Sequence, residues 1–268
     1  GYKPSFGAIS RTGILPFSAT LDTVGVFARS VADAAWFGTC LMGPDPRDEA
    51  TLVRGPEKIL RVPLEPLASA PRIAVVRTQK WPLASEAQKN HFEESIAKLH
   101  AAGAAVREVS LPRLFDEAWE NVALLMACDA VKSFASIESR HRIRLSPHLI
   151  EVLDRGHRVT PEQCAKARAR RDEYRRWLDG VFERNDAIAT IPATGEAPEG
   201  LSNTGDASFC SLWTQAGMPA ITIPSGFGPR GLPLGTQIVG RYREDQRALE
   251  IASWVESTLA FKPGLAGG

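Results

Sequence analysis

The sequence reads as an α/β fold, a mixed central β-sheet flanked by helices, and two stretches carry that reading. Arg72-Ile73-Ala74-Val75-Val76 is a buried-strand run, a segment of helical spacing follows to Gly103, and Ala105 to Leu111 is a second strand run. Strand, helix, strand in that order makes a βαβ unit, whose parallel pairing puts helices over the sheet. Near the other end, apolar runs through Ile221 and Ile223 and through Ile238 and Val239 flank a turn around Gly226 to Gly231. That pattern adds two further strands. A length of 268 residues suits one large domain, and 44% hydrophobic with 24% charged residues is ordinary for a globular chain.

Taken in order, Gly1 to Asp48 is a string of turns between short apolar runs, punctuated by Pro4, Gly7, Gly13 and Pro16, with room for one short strand within Leu21 to Phe27. Ser30 caps a helix to Met42 that Gly43 and Pro44 end, and Asp33 is placed to reach back to the cap amide. Residues 51–70 are Pro-rich and weakly periodic, a surface connection. Ser85 caps the next helix with Gln88 in the capping-box position, and Phe92, Ile96 and Leu99 mark its inner stripe. Leu114 to Ser139 is a long helical region with Leu124, Leu125, Val131 and Phe134 inward. Ser146-Pro147 and Thr160-Pro161 each place proline at the first helical position after a capping hydroxyl, and Gln163 completes a box with Thr160. The second of these helices carries Tyr174, Trp177, Leu178, Val181 and Phe182 as a packing stripe. Ala187 to Ile191 is a strand, and Pro192 to Asp206 is a loop long enough to wall a pocket. A short helix then runs to Gly217, and a last helix, Asp245 to Leu259, buries Leu249, Ala252 and Val255 before a frayed tail at 264–268.

Composition excludes several classes. A net charge of +1 gives no reason to expect nucleic acid, an acidic substrate or an anionic membrane. No run approaches the ~18 apolar residues of a membrane span. Cys40, Cys128, Cys164 and Cys210 are far apart, which fits reduced thiols in the cytoplasm better than disulfides or zinc. The five histidines never take His-x-x-x-His spacing, so no metal is expected. Gly235 to Arg241 imitates a phosphate loop but lacks its Lys-Ser/Thr and reads as a strand. The basic run through Lys166, Arg168, Arg170, Arg171, Arg175 and Arg176 reads as a solvated helix face.

Four ordered segments, Lys3-Pro4-Ser5, Leu21-Asp22-Thr23-Val24-Gly25, Ala28 to Ala35 and Gly43 to Asp48, resemble the amidase signature family just downstream of its Gly/Ser-rich signature. Trp213 to Gly226 and Gly231 to Gly240 resemble that family's closing strands. The resemblance covers nearly the whole chain. It implies a C-terminal portion (1–268) of a single amidase-signature domain whose N-terminal half is missing, and the opening Gly fits a piece of a longer protein.

The parent reaction it implies is hydrolysis of a carboxamide to acid and amine through an acyl-serine. A Ser–cis-Ser–Lys set would do the chemistry, with backbone N–H groups holding the oxyanion and no cofactor. The sequence has no Gly/Ser-rich run and no Gly-x-Ser-x-Gly elbow, and Lys3 and Ser5 match the turn after the signature rather than the catalytic pair. No catalytic residue carries over, so the chain alone is expected to be inactive. The resemblance implies a small-molecule amide substrate facing Asp206, Phe209, Ser211, Leu212 and Trp213, although Phe209 and Trp213 equally suit core filling. Phe209-Cys210 and Thr214 to Gly217 depart from the Phe-Thr and Asn-Leu-Ala-Gly of tRNA-dependent amidotransferase A subunits, which favours a small-molecule amidase. The alternative is a non-catalytic scaffold or subunit. Either way an open sheet edge and apolar face are expected, inviting a homo-oligomer.

Overall fold

The computed structural model describes residues 1–52 and 60–262. Six strands form one sheet: β1 (Tyr2–Lys3), β2 (Arg72–Val75), β3 (Ala105–Glu108), β4 (Ala187–Thr190), β5 (Ala220–Phe227) and β6 (Pro233–Val239), in the order β1-β5-β6-β4-β2-β3. β2 pairs parallel with β3 and β4, as the strand–helix–strand order requires, whereas β4/β6, β5/β6 and β1/β5 are antiparallel. The sheet is therefore mixed. Its parallel half comes from the crossover through α3 (Glu86–Ala101), and its antiparallel half from the β5–β6 hairpin.

Alternation along β2 sorts its side chains to two cores. Ile73 and Val75 meet Phe92 and Leu99 of α3, Ala35 of α1 (Val31–Leu41) and Leu249, Ala252 and Val255 of α8 (Asp245–Leu259). Ala74 and Val76 face the other way, toward Tyr174 and Leu178 of α6 (Pro161–Val181) and Trp213 of α7 (Ser208–Gln215). On that second side α4 (Ala118–His141) packs against α5 (Pro147–Arg158) through Phe134 and Leu153. Gly156 lets the two backbones approach, because a Cβ there would lie 2.4 Å from the Ala127 carbonyl oxygen. Leu125 and Phe134 are buried as their spacing predicts, whereas Leu124 and Val131 are only half-buried.

Several local expectations change. The strand sought within Leu21 to Phe27 reduces to a single bridge from Val26 to Tyr2, and the strand itself is Tyr2–Lys3. Ser30 caps α1 by accepting the Asp33 N–H, but the Asp33 carboxylate turns to the Ser30 hydroxyl at 2.8 Å. Ser85 accepts the Gln88 N–H, yet the Gln88 side chain leaves the cap and donates to the Gly235 carbonyl on β6, at 3.0 Å. A buried, unpaired carbonyl beside the helix costs more than an exposed cap amide, so the sheet takes the glutamine. Thr160 and Gln163 do form a reciprocal box. β5 continues to Phe227, one residue beyond the expected start of the turn at Gly226. Of the connection at 51–70, a short helix α2 (Glu49–Leu52) precedes a segment that lies outside the described residues, and Leu60 beyond it is buried. The tail at 264–268 also lies outside them.

Cys128 and Cys164 form a disulfide, against the expectation of reduced thiols. α4 and α6 lie side by side, which brings residues 36 apart in sequence to a Cα separation of 6.0 Å. Linear spacing does not reveal that adjacency, and the cysteine argument for a reducing compartment falls with it. Among the described residues no helix is long and apolar enough to cross a membrane.

Candidate functional site

A cavity of about 340 Å³ opens between the turn carrying Phe17 to Thr23, the α4 side chains Val122 and Met126, and the face of α7 presenting Cys210, Ser211 and Thr214. Lys3 closes one end. A neighbouring hollow of about 460 Å³ shares Lys3, Thr23 and Cys210 and runs over the sheet past Thr222, Gln237 and the exposed ring of Phe27. A third, of about 600 Å³, lies outward beneath Ile14 and Leu15 and shares Phe17, Asp22 and Thr23.

Helical spacing decides which α7 residues reach the cavity. Ala207, Cys210, Ser211 and Thr214 share one face and line it, whereas Phe209, Leu212 and Trp213 point into the core and are at most 1% exposed. Of the five sequence candidates, Ser211 is therefore at the cavity. Phe209, Leu212 and Trp213 form its packed support, and Asp206 is exposed just before α7, its Oδ1 accepting the Ser208 N–H at 2.7 Å. The loop 192–206 instead braces the β5–β6 turn, where Glu196 accepts the N–H groups of Arg230 and Leu232.

Lys3 is turned inward. Its Nζ donates to the Met218 carbonyl at 2.5 Å and to the Pro4 carbonyl at 3.1 Å. Burial lowers its pKa to about 8, opposed by the charge of Asp245 and by Cys210. Burial likewise pushes the Cys210 thiol up despite Lys3, and its S–H donates to the Pro192 carbonyl at 3.3 Å. Ser5 does not pair with Lys3 as nucleophile and base. Its Oγ donates to Asp245 Oδ2 at 2.6 Å and accepts the Arg243 N–H at 2.9 Å, with no exposed surface left. Both side chains are thus engaged within the fold.

Two other arrangements have the look of chemistry. Ser95 and Lys98 stand at Ser-x-x-Lys spacing on α3, a pair missing from the sequence expectations, but the Ser95 hydroxyl donates to the His91 carbonyl at 2.9 Å inside the helix packing. His91 Nε2 lies 2.7 Å from Ser225 Oγ, which meets Thr236 Oγ1 at 3.1 Å. Ser225 is buried, and this contact fastens α3 to the hairpin. Four members of the basic run of α6 are engaged at home. Arg168 pairs with Asp129, Arg170 with Glu173 and Arg171 with Asp172, and Arg175 stacks on Tyr242 while donating to the Ala216 carbonyl. Among the described residues no group of three His, Cys, Asp or Glu side chains is arranged to hold a metal.

Lys3, Cys210, Thr214, Val122 and Met126 were not among the sequence candidates. The signal for the α7 members was present in the helical spacing 207, 210, 211, 214. Val122 and Met126 are four apart on α4, but nothing local tells which helix faces the cavity.

Sequence and fold together define the class. The Amidase family model matches residues 1–249, and the chain belongs to that family. It is 30% identical over 291 aligned residues to the glutamyl-tRNA(Gln) amidotransferase A subunit of Synechococcus sp. (strain CC9902), an alignment covering 96% of this chain and 58% of that protein. A crystal structure of an amidase superposes with a TM-score of 0.80 at 26% identity, over 96% of this chain and 57% of that one. The glutamyl-tRNA(Gln) amidotransferase A subunit of Thermotoga maritima superposes with a TM-score of 0.75 at 26% identity, over 94% and 56%. The chain thus spans a little over half the length of the relatives it matches.

Proposed function

We propose that these residues are the substrate-side portion of an amide hydrolase. They would hold the acyl part of a carboxamide while a nucleophilic serine, its bridging serine and a lysine base come from polypeptide outside this chain. The observation that carries this reading is the engagement of Lys3 and Ser5 with Met218 and Asp245, which leaves the cavity without a hydroxyl activated by a base. Membership of the family supports the reaction class. The cavity beside α7 supports the division of labour. No cofactor enters the scheme.

The test is ammonia release from a simple aliphatic amide. The chain alone should give none, and the product of the whole open reading frame that contains it should give a rate abolished by substitution of a serine upstream of Gly1. Turnover by the chain alone, with an acyl group trapped on one of its own serines, would refute the proposal.

A second reading follows from the names of the relatives, several of which are subunits of an amidotransferase. In that reading the chain is a scaffold for a partner that carries the reactive groups. Co-expression that yields a stable hetero-complex, with activity found only in the complex, favours it.

A further inference from the structure

Most polar side-chain atoms around the 340 Å³ cavity are engaged with the protein itself, the Thr214 hydroxyl and Asp22 Oδ1 excepted. Asp22 Oδ2 accepts the N–H groups of Phe17 and Ser18 at 2.8 and 2.9 Å, and its charge acts on Arg11. The Ser18 hydroxyl donates to Asp129 at 2.7 Å, Thr23 to the Leu21 carbonyl at 3.1 Å and Ser211 to the Ala207 carbonyl at 2.9 Å. The Lys3 ammonium faces two carbonyls, with Asp245 as its balancing charge. What the cavity presents to a ligand is then the apolar surface of Phe17, Leu21, Val122 and Met126, with the lysine's methylene stem at one end.

We infer that the site selects a neutral, apolar acyl group and rejects acyl groups carrying a carboxylate or an ammonium. The inference rests on the amide reading for the carboxamide end of the ligand. Its own content is the character of the tail. A charged tail would give up its water and find in exchange a mostly apolar wall with most of its hydrogen bonds already made. An aliphatic or aromatic tail gains by each methylene it buries.

Three amides of equal length separate the possibilities: hexanamide (neutral), glutaramate (anionic) and 5-aminopentanamide (cationic). Each is titrated into the isotopically labelled 268-residue chain and followed by amide chemical shifts. Hexanamide should bind at least ten-fold more tightly than either charged analogue, with shifts at Val122, Met126 and Ser211. Met126→Glu should erase that preference, and Met126→Gln should weaken it in the same direction if the glutamate variant does not fold. Tighter binding of glutaramate that Lys3→Met abolishes, tighter binding of 5-aminopentanamide that Asp22→Asn abolishes, or no shifts at the cavity with any probe would each overturn the inference. Its failure is separable from that of the function reading. If hexanamide seats in the cavity but the whole gene product does not hydrolyse it, the reaction class falls and the tail preference stands. If only amides with charged tails are hydrolysed, the preference falls and the reaction class stands.

Discussion

The Ser18 hydroxyl donates to Asp129 Oδ2 at 2.7 Å, joining residues 111 apart and fixing the turn that walls the cavity to helix α4. Thr20 adds its N–H at 3.0 Å and its hydroxyl at 2.5 Å to the same oxygen, and Arg168 reaches Oδ1 at 3.1 Å. Burial pushes the Asp129 carboxyl up, but the Thr20, Ser18 and Arg168 hydrogen bonds outweigh it and hold the group below the ordinary aspartate range. A carboxylate depressed in the folded state contributes stability above its unfolded pKa and loses it as pH falls through the folded value. Asp129→Ala should therefore cost roughly 1–3 kcal/mol at pH 7, the range for stranding buried donors. The gap to wild type should close below about pH 4 in denaturant titrations across pH.

Lys3 gives a dependence of the same sign on the alkaline side. Its folded pKa of about 8 lies below the unfolded value, so between the two the unfolded chain binds the extra proton and stability rises with pH. Urea midpoints should climb from about pH 8 toward about pH 10, and Lys3→Met should flatten that climb.

The Cys128–Cys164 bond closes a stretch of 36 residues across α4 and α6. Loop-closure entropy gives an upper value of about 4 kcal/mol for such a link. The double variant Cys128→Ser/Cys164→Ser should melt at a lower temperature, and a thiol reductant should lower the melting point of wild type while leaving the double variant unchanged.

Gly156→Ala tests the α4–α5 crossing. The added methyl would meet the Ala127 carbonyl oxygen and Val131 Cγ2, both 2.4 Å away, which forces the helices apart. The overpacking cost of roughly 1–3 kcal/mol should exceed the gain in helix propensity, so thermal stability should fall although alanine is the better helix former.

Trp213 and Ser211 should separate support from site. Trp213→Ala should destabilise by roughly 3–5 kcal/mol, as for other buried large aromatics. Ser211→Ala, which removes only a hydroxyl already bonded to the Ala207 carbonyl, should leave the melting temperature within about 2 °C, a change near ~0.5 kcal/mol, and leave binding of a neutral apolar amide intact.

Much of the fold was legible because its signals are local. The βαβ unit, the bounds of α8 and the Thr160–Gln163 box follow from spacing and caps that neighbouring residues alone determine. Gln88 marks where such reading stops, since its side chain answers to a carbonyl 147 residues away. The disulfide fails to show for the same reason: only the packing of α4 on α6 brings the two sulfurs together. The cavity was half legible. The sequence reading picked out the α7 segment, of which Ser211 lines the cavity, but the aromatic residues that drew attention are those that burial claims, and the lining belongs to the small residues between them. Val122 and Met126 on α4 and Lys3 near residue 1 converge on it from two distant parts of the chain, a convergence written in tertiary packing alone.

Asp245, the first residue of α8, gathers the Tyr2 hydroxyl, the Ser5 N–H and the Ser5 hydroxyl within 2.7 Å. On a ribosome, that knot cannot be tied until more than nine-tenths of these residues have been synthesised. Until then the opening turn is held by its bridge to Val26 and, once they are made, by Met218 and β5 alone. A stop codon just before residue 245 would release a polypeptide whose Tyr2–Lys3 strand keeps its pairing to β5 but loses its carboxylate clasp, and the loosened turn becomes a point of attack for proteases.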